Sequence, residues 1–376
     1  MRIERYLLAF SCLCLWAGCD NDDNNLLCYG VHTDIEGDVT AFGAVGDGKT
    51  DCAEAINRAI ASLPAEGGVL VIPEGDFVLD APVVVNKDNV TIKGLNPGMR
   101  SNIDVNGIND LLGPGGGSKL VARNAQAAIK VEANTKGVKI MDLMVSGGTE
   151  SKNIGIHFAG TNEDALLSNI IGINLHTGMK IEQAENLQIR NCWVCELPNS
   201  IELLGGSNIT VRNCQLGAQP TGITCKMQGV EKLSFVNNQV YPDGRENLVL
   251  DRCNHCTVEG NNFKSYYTGI LVLDGNENLV SKNIFWLTGA LQNQLLDRGD
   301  DFGVIHVTGN GNRFVSNSLS CEWAYADAVT VNAVRGTGNV FENCFVDNVE
   351  SSRVFLVNAQ TEISNCVSSD KVSIAE

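Results

Sequence analysis

The sequence predicts an all-β chain wound as a parallel β-helix and closed at its N-terminal end by one short helix. Three observations carry that reading. A short motif recurs at intervals in the twenties, aromatic (6%) and charged (19%) residues are sparse, and Gly (39 residues) is abundant beside Asn-rich turns. This mix suits many short strands joined by tight turns and disfavours a helical bundle. At 376 residues the length allows two or three domains, but a solenoid fills that length as one body.

The first residues read as an export signal and not as fold. Arg2 and Arg5 form a basic start, and Tyr6 to Gly18 is an apolar run too short to span a bilayer. The run ends in Trp16-Ala17-Gly18-Cys19, which resembles the lipobox of bacterial lipoproteins, with Trp16 where Leu is usual. The resemblance implies a signal over residues 1–19 that ends at a lipidated Cys19; the plainer alternative is an ordinary cleaved signal peptide. Asp20-Asn21-Asp22-Asp23 is similar to the acidic signal that directs some Gram-negative lipoproteins outward. An outer-membrane lipoprotein facing the cell surface or periplasm is therefore expected, touching the membrane through its lipid alone. Residues 20–36 then form a polar tether, and residues 37–376 a single β-helix domain.

The domain opens on a distinct module. Phe42 to Asp51, FGAVGDGKTD, is a Gly-rich turn, and Asp51 with Glu54 three residues on is a capping arrangement. Ile56, Ala59, Ile60 and Leu63 fall on one helical stripe, Gly67-Gly68 ends it, and Val69 to Pro73 reads as a buried strand. The words FGAVGDGKTD and VLVIPEGDF resemble the N-terminal cap of pectate-lyase-like right-handed β-helices. Such a cap covers the open edge and apolar end of the first coil. The glycines are not a phosphate loop, because Lys49-Thr50 is not set after a strand.

From Asn89 onward the motif recurs as NVTIKG, ENLQIRNCWV, SNITVRNCQL, EKLSFVNNQV, ENLVSKNIF and GNVFENCFV. The comparable asparagines are Asn191, Asn213, Asn237, Asn261, Asn283, Asn317, Asn343 and Asn365, spaced 22, 24, 24, 22, 34, 26 and 22 residues apart. Asn tolerates left-handed geometry and can bond its own copy in the next coil, so these residues are expected to be structural ladders. Two stretches break the period, Gly98 to Ser118 and Trp286 to Phe302, and insertions in solenoids gather on one binding face. The second reads equally as a lid or as an oligomer contact.

Composition narrows the ligand. A net charge of −17 argues against nucleic acid and polyanions and favours a neutral or cationic partner. Cys192 and Cys214, like Cys344 and Cys366, sit 22 residues apart at one repeat position, where a thiol packs as a small hydrophobe. Cys253-Asn254-His255-Cys256 has metal-like spacing but no second pair, so neither metal nor cofactor is expected.

One coil carries acids that its copies lack. In Ala184 to Leu203, AENLQIRNCWVCELPNSIEL, Glu185 and Glu196 stand eleven residues apart, read as the two ends of its first strand. Glycoside chemistry needs one carboxyl to protonate a leaving oxygen and a second group at the attacking centre. That separation requires a long groove or a second subunit to unite them; taken alone, both read rather as solvated surface glutamates.

The surrounding words decide between the two readings. PGGGSKL, the Ala184–Leu203 coil, FVNNQVYPDGREN, NNFKSYYTGILVLDGNENLVS and DDFGVIHVTGNGNRFVSNSLS resemble, in order and over some two-thirds of the chain, the inulin fructotransferases of glycoside hydrolase family 91. The resemblance implies a homotrimer of right-handed β-helices with sites between subunits. It also implies release of terminal difructose from β-2,1-fructan as a cyclic dianhydride, by attack of a fructose hydroxyl in place of water. By position Glu196 matches the family's general acid/base, and Glu185 matches an aspartate beside it, one methylene shorter. Glu202, Tyr267, Asp301 and His306 lie in matched words and are implied sugar contacts, although a packed structural role suits Tyr267 and His306 equally. Hydrolysis of the dianhydride, a polyuronide-active enzyme and a non-catalytic surface glycan binder are the alternatives.

Overall fold

The computed structural model describes residues 36–98, 117–148, 152–288, 299, 301–321, 329–347, 353–368 and 370–375. The export signal with Cys19, most of the tether, residues 99–116 and most of the Trp286–Phe302 insert lie outside the described residues. The compact unit Ile35–Glu376 is a parallel β-helix. Each coil gives two strands to a 25-stranded sheet and one to a 12-stranded sheet, and all the pairings are parallel. In one coil these are Asn199–Leu203, Gly206–Arg212 and Gln215–Ala218.

Alternation along each strand builds the core. Met179, Ile201, Cys225, Leu248, Leu271 and Ile305 are register partners in successive coils and all point inward, at most 1% exposed. Each such side chain contributes roughly 1.5–3 kcal/mol by leaving water. Phe263 lies between Phe235 and Phe285, with ring centroids 6.1 and 5.0 Å away, so like residues stack on like from coil to coil.

The asparagines divide into two positions, one residue apart. Asn191, Asn213, Asn237, Asn343 and Asn365 have φ between 51° and 56° and turn the chain in the left-handed region, as Gly260, Lys282 and Ser316 do in the coils between. The next residue points inward: Cys192, Cys214, Asn238, Asn261, Asn283, Asn317, Cys344 and Cys366. Asn261, Asn283 and Asn317 therefore belong one place further on than the sequence alignment set them. Both positions favour Asn, one for its tolerance of positive φ and one for its amide, so residue identity alone does not separate them. At the inward position Asn283 Oδ1 accepts the Asn261 amide and its Nδ2, both at 2.9 Å, and the same ladder joins Asn238 to Asn261 and Asn283 to Asn317. Where Cys takes the position, Cys192 and Cys214 donate their thiols to the carbonyls two residues back, at 3.2 and 3.3 Å.

The N-terminal module covers the first coil. Helix α1, Ala53–Ser62, buries Ile56, Ala59 and Ile60 against the coil end. Cys52 holds the N-cap position without a side-chain cap bond, its thiol turned to the Val45 carbonyl (3.2 Å). The Asp51 carboxylate instead accepts the Ala53 amide at 3.1 Å and the Asp80 amide at 3.0 Å, tying the helix start to the next coil. Asp47 closes the Gly-rich turn. Amides of Thr50 and Lys49 and the Thr50 hydroxyl, each at 2.8 Å, hold its carboxyl at about 2, below the usual 3.8. The folded pKa is the lower one, so its stabilisation is present above pH 4 or so and is lost as pH falls through about 4 to about 2. A carbon-13 titration of Asp47 should show that low midpoint, and Asp47→Asn should flatten the acid side of the stability curve. An unshifted midpoint contradicts the assignment.

Candidate active site

The coil that carries the two glutamates is folded more tightly than a single strand. Asn186 and Asn191, both at φ 56°, break it into Thr177–Glu185, Gln188–Arg190 and Trp193–Leu197. Glu185 and Glu196 are therefore not the ends of one strand. Glu185 is exposed on the larger sheet, in register with Glu163 and Ser207, whereas Glu196 belongs to the smaller sheet. Glu185 is not among the described residues that line the Glu196 cavity.

Glu196 occupies a β-bulge. Val194 pairs with Leu216 and Leu197 with Ala218, so Cys195 and Glu196 together oppose Gly217 alone. The extra residue forces Glu196 to φ 63°, a conformation that disfavours a side chain longer than Asn or Asp. Ser200 braces the bulge from inside: its Oγ lies 2.8 Å from the Val194 carbonyl and 2.9 Å from the Gly217 carbonyl, and accepts the Gly217 amide at 3.2 Å. Gln219 Nε2 donates to the Glu196 carbonyl at 3.2 Å. Strain of this kind persists where neighbours over-determine it, and its effect here is to aim a carboxylate outward.

That carboxylate lines a cavity of about 330 Å³ with Trp193, Cys195, Gln219, Tyr241 and Asp243. Trp193 and Cys195 are 4% and 3% exposed and make an apolar wall, and the Tyr241 hydroxyl donates to Gln215 Oε1 at 3.1 Å. Asp243 is the residue that sequence reasoning missed. It sits in Tyr241-Pro242-Asp243-Gly244, which reads as an ordinary turn, although the word was among those compared. Burial first, and then the nearby Glu196 charge, push the Asp243 carboxyl above its usual range. Burial and then Glu196 likewise push the Cys195 thiol well up, so that cysteine stays protonated. Tyr267 is 4% exposed, and burial first and then the Asp243 charge push its phenol up.

The remaining implied contacts lie elsewhere. Glu202 is on the larger sheet in register between Lys180 and Lys226, with His306 further along the same outward column. His306 stacks on Phe302 (centroids 4.5 Å, 2° between planes) and its Nδ1 faces the Phe302 carbonyl at 3.0 Å. Asp301 pairs with Arg353 at 2.8 Å, and its carbonyl accepts Asn332 Nδ2 at 2.6 Å. Cys253 and Cys256 are core thiols, 0% and 1% exposed. Among the described residues no group of three or more His, Cys, Asp or Glu is placed to hold a metal ion. Two carboxyl groups beside an indole and a phenol suit a neutral polyhydroxyl ligand, whose hydroxyls meet the acids and whose ring faces meet the aromatics.

Comparison with known proteins places this architecture. The family described as rhamnogalacturonase A/epimerase, pectate lyase-like, matches residues 38–241, and a right-handed β-helix region matches residues 221–374. The chain belongs to the pectate-lyase-like family. An inulin fructotransferase (DFA-I-forming) from Arthrobacter globiformis is 25% identical over 321 residues, covering 75% of this chain and 80% of that protein. Two crystal structures of a DFA-IIIase from Arthrobacter chlorophenolicus A6 share the fold. The complex with GF2 superposes with TM-score 0.76 at 22% identity, and the complex with DFA-III with 0.75 at 21%; each match covers 91% of this chain and 96% of the other. The pectate-lyase-like solenoid thus fixes the handedness of the coils, and the cavity lies on the smaller sheet's outer side.

Proposed function

We propose that this protein is a fructan-acting enzyme that releases terminal difructose as a cyclic dianhydride by intramolecular transfer. The observation that carries the reading is Glu196, held at a left-handed bulge and aimed into a cavity with an indole, a phenol and a second carboxyl. The curated relative supports it, being named for inulin and for the DFA-I it forms. Glu196 protonates the linking oxygen, and a hydroxyl of the neighbouring fructose captures the cation-like centre. Water must be kept out for capture to outrun hydrolysis, which is work for a cover over the cavity.

The assembly is read as a homotrimer. Glu185 is not among the described residues lining the Glu196 cavity, and in this reading a neighbouring copy supplies the missing side. Glu202, Asp301 and His306, outside the cavity, are sugar contacts in this reading only across such an interface. Lipidation at Cys19 would hold the assembly at the outer membrane.

Mass-spectrometric product identification after incubation with inulin, levan, dianhydride and polygalacturonate in separate tubes tests the function. Cyclic difructose from inulin is expected. Linear difructose or free fructose from dianhydride alone makes it a hydrolase, and cleavage of polygalacturonate alone sinks the fructan reading.

A further inference from the structure

We propose that the outer face of the smaller sheet beyond Glu196 is a binding track for the fructan chain that continues past the cleaved linkage. The inference rests on the fructan reading above and extends its site along the coils that follow the Glu196 cavity.

It starts from a change of chemistry along one column of register partners. Met144, Ile171, Trp193, Gln215, Gln239 and Asn262 succeed one another on the outer side of the smaller sheet. The first three are at most 4% exposed, whereas the next three are exposed amides. Their inward neighbours Leu216, Val240 and Phe263 stay fully buried, so the change is confined to the outer side. The switch falls at Trp193, which is a wall of the Glu196 cavity.

A second outward column runs beside the first, through Gly217, Tyr241, Lys264 and Trp286. The Tyr241 amide donates to the Leu216 carbonyl at 2.8 Å, which sets Tyr241 beside Gly217. Val240 pairs with Phe263, which sets Tyr241 beside Lys264, and Lys264 pairs with Trp286. Gly217 lets the tyrosine lie close, since a Cβ there would stand 3.0 Å from Tyr241 Cβ. The Tyr241 hydroxyl, donating to Gln215 Oε1 at 3.1 Å, joins the two columns at the cavity end. At the far end Lys264 Nζ lies 4.4 Å from the centroid of the Trp286 ring, a cation–π contact. Tyr241, Lys264 and Trp286 are half-buried, so each keeps part of its surface in solvent.

These side chains suit a neutral polyhydroxyl chain laid along the solenoid axis. Each amide offers one acceptor and two donors, and the coils repeat that offer about every 4.8 Å. The Trp286 coil is the fourth beyond Glu196, so the track runs roughly 19 Å. Sugar hydroxyls bond the amides, and ring faces meet the phenol near the cavity and the indole at the far end. From Gln215 to Trp286 neither column holds an acid, although the chain as a whole carries −17.

Inulin-type oligosaccharides of graded length, from the trisaccharide upward, test the track on the wild-type protein. The kcat/KM should climb with length until the chain passes Trp286 and then level off, mainly through KM. A kcat/KM independent of length overturns the track and leaves the fructan reading intact. Gln239→Ala and Trp286→Ala give the second test, read as the ratio of kcat/KM for a long chain to that for the trisaccharide. That ratio should fall about fivefold or more in each, the scale of one hydrogen bond or ring contact, and ratios within about twofold of wild type overturn the track. Gln239 is exposed, so its variant keeps the test open if Trp286→Ala does not fold. Wild-type activity on dianhydride alone, or on no fructan at all, overturns the transfer reading and the track together.

Discussion

Glu196→Gln should reduce turnover of fructan by about 10²–10⁴-fold while the protein folds and melts as wild type does. The amide keeps the shape of the side chain and removes the transferable proton. Glu196 is exposed and lies at φ 63°, a backbone conformation that a side chain adopts at a cost. A second substitution separates chemistry from scaffold. Glu196→Gly should also be inactive, yet its stability should hold or rise by as much as about 1 kcal/mol, since Gly adopts this conformation without the cost a side chain carries. A glycine variant that unfolds would mean that the glutamate braces the bulge, and the left-handed geometry would then be structural. Steady-state rates and urea midpoints on the same preparations decide between these outcomes.

Asn283→Ala should be the most damaging change in the solenoid interior away from the site. Asn283 is 1% exposed; its Oδ1 takes the Asn261 amide and Nδ2, and its Nδ2 meets the Val258 carbonyl at 2.8 Å and Asn317 Oδ1 at 3.0 Å. Truncation takes the acceptor from the buried Asn261 amide, while Asn261 Nδ2 keeps the Phe235 carbonyl and Asn317 Oδ1 keeps the residue 283 backbone amide; a loss of about 1–3 kcal/mol is expected. Asn283→Cys should cost less. Cys already holds the equivalent place in four coils, and the Cys344 amide meets Cys366 Sγ at 3.4 Å there. Equal urea midpoints for Asn283→Ala and wild type would show that the ladder carries no stability.

These two predictions draw on parts of the molecule that were unequally legible beforehand. The coil was readable because left-handed turns select Asn and Gly at a fixed period, which a sequence displays directly. The register was not, since turning position and ladder position both take Asn and differ by one residue, as at Asn237 and Asn238. The strand break next to Glu185 was hidden for a related reason: Asn186 looks like a polar strand residue until its φ value is known. Glu196 was found through resemblance, not through its own spacing. Asp243 stayed hidden because Pro-Asp-Gly explains itself as a turn, and only the fold shows that the turn overhangs the cavity. The N-terminal cap was legible in outline: Asp51 bonds the first helical amide, although the N-cap position itself falls to Cys52.

The most direct test of intramolecular capture at the Glu196 cavity is the reaction run on inulin in oxygen-18 water, with the released sugars weighed by mass spectrometry. Capture by the substrate's own hydroxyl predicts cyclic difructose that carries no heavy oxygen. Labelled free fructose or labelled linear difructose would contradict it.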